Sequence, residues 1–297
     1  MNPGILFGLA AALSWGAADF LARFSSRRIG AYRTLFFMQA AGLVAASVYL
    51  AGAKGSWATL ERGLADHWVL AAFLGGITSL NMLAFYAALE RGTLSIVAPI
   101  SSSFPALTVV LSYASGERLT RLRLAGAACA LTGVILASMA EAPLGVDRNS
   151  QRPRGLLGPG VLLAILASAG FGVWNWAIGF YAVPAWGSAA TVWMQRLSTV
   201  VWLVGATVAF RRSIALPQLS TCCLAGTVGV LDSLGFLFVN LGFAREQVGV
   251  VTVLSSLFGA VALLLALVVL RERLSGRQWL GVAMIFVGIV LINSPAR

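Results

Sequence analysis

Charge is the scarcest commodity in this 297-residue chain: only 10% of its residues are charged, against 59% hydrophobic. A water-soluble domain carries about 25% charged residues, so an ordinary water-facing surface is excluded. Histidine occurs once, at His67, and no HExxH, G-x-S-x-G, Walker loop or metal-ligand cluster is present, which removes the common hydrolytic, nucleotide and metal chemistries. Three cysteines, Cys129, Cys222 and Cys223, have neither a zinc spacing nor a disulfide framework and read as small apolar fillers. No basic n-region precedes the first apolar run, Met1 to Ala22, and further runs follow it, so it reads as a first helix and not as a cleaved signal.

What is present in abundance is long apolar sequence, with a mean hydropathy of +0.88. A spanning helix needs about 20 apolar residues, so the length accommodates about ten. Apolar runs fall at 4–22, 32–51, 68–89, 94–114, 122–140, 158–180, 188–209, 219–243, 248–270 and 276–293. The longest polar stretch, Glu141 to Arg154, divides them five and five. The domain reading is 1–146 for one repeat, 147–157 for a linker and 158–297 for a second repeat.

The halves resemble each other. At an offset of 156, Gly4, Leu6, Ala11, Gly16 and Met38-Gln39 fall on Gly160, Leu162, Ala167, Gly172 and Met194-Gln195. At 155, Ser101 falls on Ser256, Glu117-Arg118-Leu119 on Glu272-Arg273-Leu274, and Gly126, Gly133 and Leu136 on Gly281, Gly288 and Leu291. Five is odd, so homologous halves in tandem enter the membrane from opposite faces. The expected fold is an all-α polytopic membrane protein, two inverted five-helix repeats around a central cavity, with a substrate site near the midplane.

The net charge of +11 would suggest nucleic acid in a soluble protein, but here the arginines sit in short loops between spans. The loops after odd-numbered helices hold 13 Arg, and the remainder hold seven Lys and Arg, a count that favours both termini outside the cytoplasm. Trp15-Gly16 in the first helix, Gly116-Glu117-Arg118-Leu119, Gly126 and Gly133 around the fifth, and their repetition, resemble the EamA-type branch of the drug/metabolite transporter superfamily. Within it, the length and aromatic-rich helices are most similar to bacterial aromatic amino acid exporters. The resemblance implies a ten-helix metabolite exporter of the bacterial inner membrane working by alternating access. It carries no single catalytic residue onto this sequence.

An ionisable side chain in hydrocarbon costs at least ~2.5–3.5 kcal/mol, so each needs a partner or a watered cavity. Asp19, Arg196 and Asp232 stand inside apolar runs. Arg196 precedes position 210 by 14 residues and Asp232 follows 218 by 14, about 21 Å from their shared end at 1.5 Å per residue, so the two match in depth. Their pairing either fixes helix packing or borders the cavity and offers a zwitterion both signs of charge. Asp19 has Arg23 four residues on, an i, i+4 pair, and its repeat mate is Asn175. Gln39 and Gln195 form a second matched polar pair, either bonding helices together or lining the cavity symmetrically.

Further cavity candidates are Thr78, Asn81, Tyr86, Ser101, Ser102, Ser103 and Phe104 on helices 3 and 4, and Asn240, Ser255 and Ser256 on helices 8 and 9. Pro99 and Pro105 predict a kink near the middle of helix 4. Among nine tryptophans, Trp57, Trp68, Trp186 and Trp279 read as interfacial, while Trp15, Trp174, Trp176, Trp193 and Trp202 lie deeper. Trp174 and Trp176 cannot share a helical face, so of these Trp15 and Trp176 are taken as candidates. The function expected is secondary export of amino acids or similar small metabolites; the alternatives are a channel-like pore or export of drugs. Expected partners are a small-molecule substrate and membrane lipid, with no nucleic acid, cofactor or metal, and function as a monomer.

Overall fold

The computed structural model describes residues 2–52, 56–91, 100–101, 103–138, 159–211, 214–269 and 275–293. Among them all regular structure is helical: α1 (Pro3–Ile29), α2 (Ala31–Gly52), α3 (Ser56–Arg91), α4 (Phe104–Ala114), α5 (Arg121–Ser138), α6 (Pro159–Ala177), α7 (Val183–Ala209), α8 (Leu219–Phe243), α9 (Val248–Ser255), α10 (Phe258–Val269) and α11 (Gly276–Asn293). Hydrocarbon offers no partner to a free N–H or C=O, which is why runs of this composition resolve into helices. Four helical stretches are long and apolar enough to cross a membrane, Pro3–Ile29, Tyr32–Gly52, Gly160–Ala209 and Leu219–Phe243, with shorter apolar helices beside them. The chain is a helical, multi-pass membrane protein.

Helix ends follow local chemistry. Asn2 Oδ1 accepts from Gly4 N at 3.0 Å and Pro3 occupies the first turn, so α1 begins there. Two glycines, Gly30 (φ 82°, ψ 158°) and Gly187 (φ 76°, ψ 164°), adopt a conformation essentially closed to other residues. They sit at equivalent points, where the first helix of each half hands over to the second.

Several boundaries differ from the hydropathy reading. The third run begins earlier, at Ser56, and His67, expected in a loop, sits at a break in α3 (φ −131°, ψ 32°). The gap expected after residue 180 is a π-helical turn, Ile178–Ala182, leading straight into α7, so the chain stays helical and turns only at Gly187. Residues 100–101 are helical, a turn follows at Ser103, and Pro105 lies in the first turn of α4, where a missing donor costs little, so the fourth run is interrupted near its middle and Pro105 starts the helix beyond. The ninth run is interrupted at Ser256–Leu257, between α9 and α10, with no proline there. Pro99, Ser102, the linker and Glu272-Arg273-Leu274 lie outside the described residues.

Packing recurs with the halves exchanged. α1 packs along α8 and α6 along α3; α2 also packs on α8 and α7 on α3; α1 meets α9 and α10 while α6 meets α4. The glycine approaches recur too: a Cβ on Gly16 would come 2.8 Å from Phe258 O, and one on its mate Gly172 2.9 Å from Phe104 O. α5 lies against α11 with Gly126 facing Gly288 and Gly133 facing Gly281, an antiparallel register in which a Cβ on Gly133 would stand 2.6 Å from Gly281 O. Small residues let two backbones touch in a lipid medium that supplies no hydrophobic drive between helices.

At the end carrying Asn2, short loops are held by charge. Glu117, before α5, accepts from Val248 N (2.5 Å) and Gly249 N (3.2 Å), capping the first turn of α9. Glu246 accepts from Asn2 Nδ2 at 2.6 Å and pairs with Arg123 at 3.0 Å. Burial pushes the Glu117 carboxyl above its ordinary value; the two backbone donors pull against this and the charge of Glu246 adds to it.

Candidate functional site

The centre of the bundle is organised by one cation. Arg196 on α7 is 1% exposed, and its Nη1 lies 2.7 Å from Asp232 Oδ2 on α8 and donates to Gln39 Oε1 on α2 at 2.5 Å. A guanidinium this deep is tolerated only because charge and hydrogen bonds meet it there. Its face lies on the Phe236 ring, 4.8 Å from the centroid, one turn along α8 from Asp232. Gln39 brings the first half of the chain to this pair from the second half.

Trp15 on α1 makes a second crossing between the halves. Its Nε1 donates to Asp232 O at 3.2 Å, and its ring meets Phe236 edge-on at 5.0 Å and Phe258 at 6.1 Å. Trp174 also meets Phe236 edge-on, at 5.5 Å. Four rings thus form an apolar layer, and the guanidinium of Arg196 lies against one of them, Phe236. Asp19, one turn from Trp15, is exposed and lies within electrostatic reach of Asp232. The side chain of Arg23, its i+4 partner by sequence, lies outside the described residues.

The remaining candidates are distributed more widely. Gln195, mate of Gln39, is 8% exposed and neither its Nε2 nor its Oε1 has a hydrogen-bond partner. Asn81 on α3 is buried against Gly170 of α6, its Nδ2 without a partner. Asn175 donates to its own helix at Phe171 O (2.9 Å), as do the hydroxyls of Thr78 to Leu74 O and Ser256 to Val253 O. Asn240 reaches Ser188 O at 3.3 Å, joining α8 to α7. Ser103 meets Ser168 at 3.3 Å, Ser101 Oγ is buried without a partner, and Phe104 packs on Phe171 at 6.3 Å. Trp176 points elsewhere, donating to Ser115 Oγ at 2.8 Å and packing on Tyr181. The side chain of Tyr86 lies outside the described residues. So Trp15, Asp19, Gln39, Arg196 and Asp232 form one constellation, and the polar residues of α3, α4 and α6 form another.

Three members of the first constellation were not among the residues expected from sequence. Phe236 supports the cation, Ser233 donates to Gly229 O at 2.8 Å, and Gly42 has no side chain at all. A Cβ on Gly42 would stand 2.6 Å from Ser233 Oγ and 3.1 Å from Arg196 Nε. The signal for Gly42 and Phe236 was positional: Gly42 is three residues from Gln39, and Phe236 is four from Asp232. Among the described residues no three His, Cys, Asp or Glu side chains converge as a metal site.

A bundle of this kind, with a few buried charges joining two similar halves, can now be compared with known proteins. The model of the EamA-like transporter family matches residues 2–139 and again 151–294. The chain belongs to the EamA-like transporter family. That membership makes it a membrane transporter of small substrates. An uncharacterized protein of Methanocaldococcus jannaschii is 29% identical over 142 residues, 48% of this chain and 100% of its own length. A solved crystal structure superposes with a TM-score of 0.74 over 98% of this chain and 96% of its own, at 19% identity, a likeness of fold alone.

Proposed function

We propose that this EamA-like transporter is a secondary exporter of amino acids, aromatic ones among them, or of similar small metabolites, working by alternating access in the bacterial inner membrane as a monomer. The observation that carries the reading is the Arg196–Asp232–Gln39 network, a buried ion pair in which one donor meets acceptors from both halves of the chain. A structural protein has no need of a midplane charge that the bilayer penalises by several kcal/mol. A substrate with both an ammonium and a carboxylate finds each complementary sign there, and Trp15, Phe236 and Trp174 offer an apolar wall beside it.

Ten spans in two inverted repeats is the architecture that fits this reading. The antiparallel contact of α5 with α11, the equivalent glycine turns at Gly30 and Gly187, and a relative matched over its whole length by about half this chain all support it. In such a frame the halves rock about the central site. Purified protein in liposomes, loaded with amino acids and assayed with and without a pH gradient, tests the proposal. Saturable, selective flux is expected; unselective flux that never saturates identifies a pore and overturns it. The proposed orientation, with both termini outside the cytoplasm, is read by impermeant labelling of a cysteine introduced beside Asn2 in intact cells. No labelling there reverses the orientation.

A further inference from the structure

Arg196 uses only one corner of its guanidinium. Asp232 and Gln39 both take Nη1, whereas Nε and Nη2 have no hydrogen-bond partner although the residue is 1% exposed. These two nitrogens lie on one edge of the planar group, where their N–H bonds run parallel and match the two oxygens of a carboxylate. Leaving such donors buried and unmet costs their full desolvation penalty, which a ligand on that edge would recover.

The surroundings say what kind of partner fits. Ser233 Oγ and Arg196 Nε flank the single point that a Cβ on Gly42 would fill. Ser233 also lines a cleft of about 70 Å³ between α2, α7 and α8. Apart from the Tyr49 hydroxyl its other walls are apolar, among them Ala45, Val192, Leu234 and Leu237. That volume is well below the range of small-molecule sites, so a ligand enters only as the helices part. Ser233 thus borders both the cleft and the Gly42 contact behind which the Arg196 donor edge lies, one turn along α2 from Ala45 and Ala46, and the rest of the cleft presents mainly hydrocarbon.

We propose that this cleft binds a water-soluble monocarboxylate bearing a short apolar group, its carboxylate on Arg196 Nε and Nη2 beside Ser233 and its apolar part among Val192, Leu234 and Leu237. Access to the edge requires α2 to withdraw at Gly42, which closes over it. The inference rests on the transporter reading and narrows its substrate class.

The test is equilibrium binding of hexanoate to the purified full-length protein in detergent, beside hexanamide, hexylamine and the butyrate homologue. Hexanoate is expected to saturate, the amide and amine to bind at least tenfold more weakly, and affinity to rise about fourfold per methylene from butyrate. Gly42→Ala sets a methyl group between Ser233 and Arg196 and is expected to lower hexanoate affinity tenfold or more. Val192→Phe, away from the ion pair, fills the cleft and is expected to abolish the gain from butyrate to hexanoate; it serves if Gly42→Ala does not fold. Equal binding of hexanoate and hexanamide overturns the proposal, as does unchanged affinity in both variants. Binding of palmitate in nanodiscs with none of hexanoate in detergent assigns the cleft to lipid and equally overturns it. Saturable amino acid flux that hexanoate leaves untouched overturns this site while transport stands; hexanoate binding without flux of any solute overturns transport alone.

Discussion

Replacing Asp232 by alanine removes the one full negative charge that touches Arg196, 2.7 Å from Nη1, and leaves the cation with Gln39 and the face of Phe236. The Arg196 side chain is 2% exposed and that of Asp232 is 16% exposed, so the stranded cation has almost no access to water. Breaking a buried pair from one side costs about 3–5 kcal/mol, while replacing both partners by apolar groups of similar volume is often neutral. Asp232→Ala is therefore expected to destabilise the protein by about 3–5 kcal/mol, and Asp232→Ala with Arg196→Met by clearly less. Arg196→Met alone should cost less than Asp232→Ala, because the carboxylate it strands is the more accessible partner. Reversible unfolding in mixed micelles, with the two singles and the double forming a cycle, measures this. Additive losses would refute the argument, since they mean that the charges do not depend on each other, and a double variant as unstable as Asp232→Ala would refute the claim that the stranded cation carries the cost.

Other consequences follow from packing and titration. Gly133→Val should loosen α5 from α11 and cost about 1–3 kcal/mol by overpacking, because even a Cβ there meets Gly281 O at 2.6 Å; an unchanged midpoint in the same assay contradicts the close register. Gly187→Ala, at φ 76°, should cost about 1–3 kcal/mol through backbone strain alone, with nothing near the added methyl group to clash. For Glu117 the folded state favours the protonated form, so its contribution is full below the ordinary carboxyl value of 4.5 and is lost as pH rises through the raised folded value. Stability of the native protein should fall with pH in the window just above 4.5, and Glu117→Gln should flatten that slope; an identical slope in the variant shows that another group is titrating.

Much of this was open to a reader of the chain. Arg196 and Asp232 match in depth by counting residues from a shared turn, because helix rise is fixed and the turn between α7 and α8 is short. Gln39 could be named as polar and duplicated but not assigned to Arg196, since no local rule says which face of α2 meets which face of α7. Phe236 and Gly42 were invisible for the opposite reason: an aromatic ring or a missing side chain in an apolar helix looks like lipid-facing sequence until a cation is found against it. The turns were also hard to read, because Gly187 sits inside a run whose hydrogen bonding continues through a π turn and so leaves no polar gap.

By itself the sequence determined the medium, the helical class and the repeated pattern of glycines and charged pairs. Those follow from composition and period: a chain with 10% charge cannot be wetted, and hydrocarbon admits only backbones that satisfy themselves. Only the tertiary structure decided which helices touch, that α5 and α11 run antiparallel, and that one edge of Arg196 stays without a partner while the other corner holds Asp232 and Gln39. The reason is physical. Depth and polarity are properties of a single helix, whereas azimuth is fixed only by neighbours, and it is azimuth that determines which donor meets which acceptor.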